Sequence, residues 1–205
     1  MDAMLVSSAD HGATPPSALA ARTVASGGTS LTAAMAAGIA AINRYHGGAI
    51  EGCMRVLLEA VERKRASDRD AATVAGEMVD EHRAAKKRIP GYGHRVHTED
   101  PRSVRLFALA DELGIAGEYV EMAHAVRAAM KEKIGRDLPM NVDGTIATML
   151  CEMDFPPEMS NGIFAISRSA GLVAHVYEEQ TRMRPMRRID PVAHEYDGPP
   201  DRKVG

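Results

Sequence analysis

The stretch from Gly162 to Gln180 constrains the fold more than any other part of the chain. From Ile163 to Tyr177 it is apolar or small on almost every face, so the pattern predicts a helix at the centre of the core rather than one laid on the surface. Arg168 sits in the middle of it. A guanidinium does not deprotonate at ordinary pH, and burying one without a partner is costly. The helix must therefore deliver Arg168 either to an internal carboxylate or to a bound anion.

Elsewhere apolar positions recur at helical spacing, broken by Gly and Pro. Pro15-Pro16 suits the first turn of a helix that runs to about Ser26, where Gly27-Gly28 stops it. Ser30 can cap a second helix carrying Leu31, Ala34, Met35, Gly38, Ile39 and Ile42, and Gly38 would permit close packing, including against a second subunit. After His46-Gly47-Gly48, residues Ile50, Cys53, Met54, Leu57, Leu58 and Val61 share another face. Asp68 to Lys87 is more polar and reads as a surface helix. Further helices are expected from Val104 to near Gly114, from Met122 to Ile134 and from Val142 to Met153, while the chain beyond Arg182 reads as an extended arm. With no tryptophan and 4% aromatic residues, the composition favours packed helices over a sheet, so the class is all-α. A chain of 205 residues fits one domain, or one domain with a small lobe.

A formal net charge of -3 argues against general nucleic-acid binding, which needs a basic face. Local clusters, Lys86-Lys87-Arg88 and Arg182, Arg184, Arg187 and Arg188, are instead candidates for small polyanions. Cys53 and Cys151 lie in helical patterns without metal-ligand spacing, which points to a reduced interior. Met1 to Gly12 has no basic segment followed by an apolar core, and no apolar run reaches membrane-spanning length. The expectation is a cytoplasmic protein with no membrane partner.

The chemistry-bearing residues cluster where the backbone is constrained. Loops supply His11, His46, His94 and Asp143, and Arg102, Arg168 and Arg184 come from three other places. In Arg88-Ile89-Pro90-Gly91-Tyr92-Gly93-His94-Arg95-Val96, proline fixes one backbone angle and two glycines relieve steric limits; with Asp100-Pro101-Arg102 close behind, the turn delivers a histidine and two arginines together.

Taken in order, Asp10-His11-Gly12, Tyr45-His46-Gly47-Gly48, Pro90-Gly91-Tyr92-Gly93-His94-Arg95 with Asp100-Pro101-Arg102, Asn141-Val142-Asp143-Gly144, Phe164-Ala165-Ile166-Ser167-Arg168 and Arg184-Pro185 resemble the citrate synthase family over nearly the whole chain. The resemblance implies a multi-helical fold: a large domain formed by 1–67 and 141–205 with a C-terminal arm, and a smaller lobe, 68–140, that carries the Pro-Gly loop. It implies that His46, His94 and Asp143 are catalytic. His11, Arg102, Arg168 and Arg184 would hold oxaloacetate or citrate, with Arg184 reaching the neighbouring site of a homodimer. Arg88, Pro90, Gly91, Tyr92 and Gly93 would face coenzyme A. In this scheme acetyl-CoA or citryl-CoA is a substrate, and neither a permanently bound cofactor nor a metal is required.

Within that family, Asn141-Val142-Asp143-Gly144 and Asn161-Gly162-Ile163-Phe164 look like the corresponding segments of citryl-CoA lyases and of the lyase module of ATP citrate lyase. The favoured reading is an enzyme that makes or breaks the carbon-carbon bond between acetyl-CoA and oxaloacetate through citryl-CoA, as a lyase. Citrate synthase is the near alternative. A non-catalytic subunit binding CoA and citrate is the third reading, because only nine residues precede Asp10 where family members carry further helices.

Overall fold

The computed structural model describes residues 1–93 and 98–188. His94 and Arg95 of the Pro-Gly loop, and the chain from 189 onward, lie outside the described residues. Regular structure among the described residues is helical: α1 Asp2–Ser7, α2 Pro16–Ser26, α3 Leu31–Ala40, α4 Ala49–Ala66, α5 Ala71–Ala84, α6 Pro101–Glu112, α7 Glu118–Ile134, α8 Val142–Glu152 and α9 Ser160–Arg182. The all-α expectation holds. No described helix is long and apolar enough to cross a membrane.

The larger core lies among α4, α5, α7 and α8, where Ile50, Met54, Leu57, Val74, Met78, Met122, Val126 and Leu150 are fully or almost fully buried. A smaller cluster, Ala21, Ala25, Ala34, Leu172 and Val176, joins α2 and α3 to α9. Gly38 lets α3 approach both neighbours: a Cβ there would stand 2.8 Å from the Ser17 carbonyl and 3.0 Å from Leu172 Cδ1. Ser30 caps α3 by accepting from the Ala33 N–H at 3.3 Å, as its position before the apolar run predicts.

Four features depart from the sequence reading. The segment Asp2–Ser7 forms α1, where no helix is expected; six residues are too few for periodicity to declare itself, and α1 survives by packing Met4 into the core. The polar segment 68–87 is not simply a surface helix, because α5 buries Ala71, Val74, Ala75, Met78 and Val79. Conversely α9 is not enclosed all round: Ile166, Val173 and Tyr177 are 65%, 41% and 61% exposed along one side. Last, the described part of the arm, although exposed, is tied down. Met186 N–H donates to the Ser26 carbonyl at 2.8 Å, and Arg187 pairs with Glu179, a buried carboxylate that also receives Arg22 at 3.0 Å.

Two glycines of α9 give opposite expectations. A Cβ on Gly171 would come within 2.2 Å of the Ala9 carbonyl, whereas one on Gly162 meets nothing within 4 Å. Gly171→Ala should therefore destabilise by about 1–3 kcal/mol through overpacking. Gly162→Ala should be neutral or stabilising by up to ~1 kcal/mol. Urea unfolding of the two variants checks both signs.

Candidate functional site: a buried arginine beside an acid–base pair

Arg168 is 4% exposed. Its Nε donates to the Ser8 carbonyl at the end of α1 (3.1 Å), its NH1 donates weakly to Ser17 Oγ on α2 (3.4 Å), and its guanidinium lies 4.8 Å from the centre of the Phe164 ring one turn earlier on α9. Among the described residues no carboxylate lies within ion-pair distance of it. Of the two partners that the sequence left open, the internal carboxylate is therefore absent from direct contact. Burial works against the charge on Arg168, and Asp10 and Asp143 support it only from a distance. Such a cation is a ready seat for an anion.

Ser17, wholly buried, also touches His46: its Oγ lies 2.8 Å from His46 Nε2. The hydroxyl accepts from Arg168, and among the described residues His46 Nε2 is placed to take its proton. The consistent tautomer has Nε2 accepting and the hydrogen on Nδ1. Burial first, then the charge of Arg168, hold His46 below its ordinary value, so the ring is neutral. Phe164 meets the imidazole edge-on at 5.8 Å. Gly47, at φ 97°, lies so close that a Cβ would stand 2.9 Å from Phe164 Cδ1, which explains a glycine directly after the histidine. Ser17 and Phe164 thus hold His46 in place as a neutral imidazole.

Asp143 lies in the first turn of α8, half-buried. Burial pushes its carboxyl above the ordinary range, although Arg102, His11 and Arg168 all pull it back. Those opposing influences place the four groups in one electrostatic neighbourhood. Arg102 is itself already engaged: its fork grips Asp100 at 3.0 and 2.8 Å, and NH1 reaches the Ser7 carbonyl at 3.4 Å. Asp100, 1% exposed, also accepts from the Val142 N–H at 3.2 Å, tying the start of α6 to the start of α8. His11 is exposed, on a loop held by its neighbours: Gly12 N–H and His175 both donate to Asp10, and the Ala9 carbonyl lies against Gly171.

The Pro-Gly loop divides its residues between two surroundings. Pro90 and Gly91 pack inward; Gly52 faces Pro90, and a Cβ on Gly91 would stand 2.7 Å from Gly144 Cα and 2.8 Å from Cys53 Sγ. Arg88, Tyr92 and Gly93 instead line a cavity of about 560 Å³ between α5 and α7. His82, Arg83, Lys87 and Arg136 add basic groups to this cavity, and Ile89, Met130 and Leu138 give it an apolar floor.

The structure thus brings His11, His46, Arg102, Asp143 and Arg168 together and places Arg88, Tyr92 and Gly93 on a separate cationic cavity. His94 lies outside the described residues. Arg184 is exposed and has no hydrogen-bond partner among the described residues. Sequence reasoning missed Ser8, Ser17, His82, Arg83 and Arg136. A serine directly after Pro15-Pro16 gave a faint signal for Ser17; a backbone carbonyl such as that of Ser8 gives none.

The helical fold thus holds a buried cation, with no ion-paired carboxylate among the described residues, in one neighbourhood with a neutral imidazole and a carboxyl raised by burial. The chain belongs to the citrate synthase family: the family model described as "Citrate synthase, C-terminal domain" matches residues 1–189. It is 44% identical to a citryl-CoA lyase from Hydrogenobacter thermophilus, with a TM-score of 0.89 over 100% of this chain and 78% of that one. An ATP citrate lyase from Methanothrix soehngenii, solved in complex with citrate and coenzyme A, is 25% identical with a TM-score of 0.84, covering 98% of this chain and 34% of that one. A citrate synthase from Haloferax volcanii is 33% identical over 195 residues, 91% of this chain and 48% of the relative. The chain spans about half the length of such curated relatives.

The raised position of Asp143 has a thermodynamic consequence. Because the folded protein holds this proton more tightly than the unfolded chain, ionised Asp143 reduces stability; the loss is full above the raised folded value and disappears below the ordinary value of 3.8. Without ligand, Asp143→Asn should melt above the wild type at pH 7, with the gap closing as the pH falls toward 3.8. Paired thermal melts across that range test the sign.

Proposed function

We propose that the chain is a citryl-CoA lyase-like enzyme, cleaving citryl-CoA to acetyl-CoA and oxaloacetate. The observation that carries this reading is Arg168: buried, lacking an ion-paired carboxylate among the described residues, and adjacent to neutral His46. Citrate's carboxylates supply the counter-charge at Arg168, Arg102 adding positive charge although its fork is held by Asp100, and His11 offering a further donor. The 560 Å³ cationic cavity beside Arg88, Tyr92 and Gly93 suits the phosphates and adenine of coenzyme A.

In the cleavage direction His94 accepts the hydroxyl proton of the citryl group. The carbon-carbon bond then breaks, its electron pair passing into the enolate of the acetyl thioester, whose oxygen receives a hydrogen bond from His46 Nδ1–H. Asp143 delivers its proton to the terminal carbon, giving the methyl group of acetyl-CoA. A carboxyl raised by burial is suited to carrying that proton. In reverse, ionised Asp143 removes a methyl proton and the bond forms, so the triad alone does not choose the direction. The 44% identity with a citryl-CoA lyase favours cleavage. So does Gly144: a Cβ there would stand 2.3 Å from the Gly91 carbonyl, which leaves no room for the aromatic residue that synthases more often carry after the aspartate.

The lobe formed by 68–140 is proposed to close on the domain formed by 1–67 and 141–205, excluding water from the enolate. The working form is proposed to be a cytoplasmic homodimer. The exposed apolar stripe Ile166, Val173 and Tyr177 and the exposed Arg184 support it. Ile166→Asp combined with Tyr177→Asp should then give monomers in sedimentation velocity with the helical content retained; a wild-type chain that sediments as a monomer overturns the dimer.

Citryl-CoA cleavage, followed by coupled detection of oxaloacetate, and CoA release from acetyl-CoA plus oxaloacetate test the activity. Rapid cleavage with little CoA release is expected. Rapid CoA release makes the protein a synthase, and silence in both with citrate still bound favours a binding subunit. Asp143→Asn should lower turnover about 10²- to 10⁴-fold while keeping the citrate-induced rise in melting temperature. Arg168→Gln should abolish that rise.

A further inference from the structure

Asn141 stands directly before α8 and occupies more hydrogen bonds than a cap requires. Its Oδ1 accepts from the Gly144 N–H at 3.1 Å, capping the turn that carries Asp143. Its Nδ2 donates to the Gly93 carbonyl at 2.9 Å, the peptide group leading into His94. Its backbone N–H donates to the Gly91 carbonyl at 3.0 Å. Around it, Gly93 N–H donates to the Pro139 carbonyl at 2.7 Å, Tyr92 and Met140 form an antiparallel bridge, and Gly91 lies directly on Gly144.

We infer that Asn141 is a positioning residue for the proposed reaction, latching the Pro-Gly loop that leads to His94 onto the helix turn that carries Asp143. The inference rests on the lyase-like reading for its kinetic consequence and on geometry for the latch itself. One side chain faces both elements with opposite polarity, acceptor toward α8 and donor toward the loop. Proton transfers at two ends of a breaking bond need both groups held to within a fraction of an ångström. Tyr92 ties the far side of the loop by donating to the Ala123 carbonyl at 3.0 Å, so the Asn141 contact governs how the loop sits against α8 rather than whether it folds.

A simple N-cap makes a different prediction. Serine and aspartate are also good caps, so a capping role predicts that Asn141→Ser and Asn141→Asp keep full activity and only Asn141→Ala suffers. The latch predicts that both fail, because neither keeps the Nδ2 donor, and that aspartate fails more, because it turns a carboxylate oxygen toward the Gly93 carbonyl. The test measures kcat and KM for citryl-CoA, melting temperature, and hydrogen exchange of the peptide covering 89–93 for these variants. The expected result is that Asn141→Ser melts like the wild type, loses about 10- to 100-fold in kcat with a much smaller change in KM, and exchanges faster at 89–93. Unchanged exchange in Asn141→Ser overturns the latch, and faster exchange with unchanged kcat overturns its positioning role. If the wild type shows no activity in either direction, the proposed reaction falls instead. Exchange in Asn141→Ser and Asn141→Asp then decides the latch alone: faster exchange supports it and unchanged exchange removes it.

Discussion

The buried guanidinium of Arg168 is the charge around which the site is arranged. It is held from three sides: the Ser8 carbonyl at the end of α1, a hydroxyl of α2 and the face of Phe164 on its own helix. These neighbours orient it without cancelling it. Hydrogen bonds to neutral acceptors engage its Nε and NH1, but they leave the charge with the cost of leaving water. The carbonyls of Ser7 and Ser8 receive Arg102 and Arg168 respectively. Carbonyls at a helix end have no partner within the helix, so the short α1 supplies two consecutive acceptors to cations far apart in sequence.

The same burial sets the proton states on either side. Taking a group out of water disfavours its charged form, which lowers a histidine and raises an aspartate. His46 is therefore neutral, and Asp143 holds its proton more tightly than an exposed carboxyl, although Arg102, His11 and Arg168 pull it the other way. The two shifts have one cause. They leave a site whose fixed charge resides in its arginines, beside a neutral histidine and a carboxyl that holds its proton more tightly than an exposed one.

The Pro-Gly loop lies between two environments because its glycines permit it to. Gly91, at φ 85°, and Gly144 bring the loop backbone into contact with α8, so Pro90 and Gly91 are occupied by packing. Arg88, Tyr92 and Gly93 fall on the other side, at the cationic cavity. Asn141 hydrogen-bonds both to the loop, at the Gly93 carbonyl, and to the first turn of α8, at the Gly144 N–H.

The all-α class and most helix positions were legible in the chain because they depend on local rules, helical spacing of apolar residues with Gly and Pro as breaks, while His11, His46, Arg102, Asp143 and Arg168 stood out as polar groups where the backbone is constrained and were grouped by the family resemblance. The conflict at Arg168 was equally visible, since an arginine inside an apolar helix needs no structure to be recognised as costly. Its resolution was not visible. That Ser8 and Ser17 meet Arg168, that Arg102 spends its fork on Asp100, that α9 leaves one side open, and that His82, Arg83 and Arg136 share a cavity with Tyr92 all involve residues distant in sequence or backbone atoms identical in every residue. The sequence by itself determined which groups had to be compensated; only the tertiary structure decided by what, because compensation is a matter of distance and distance between remote segments is set by packing.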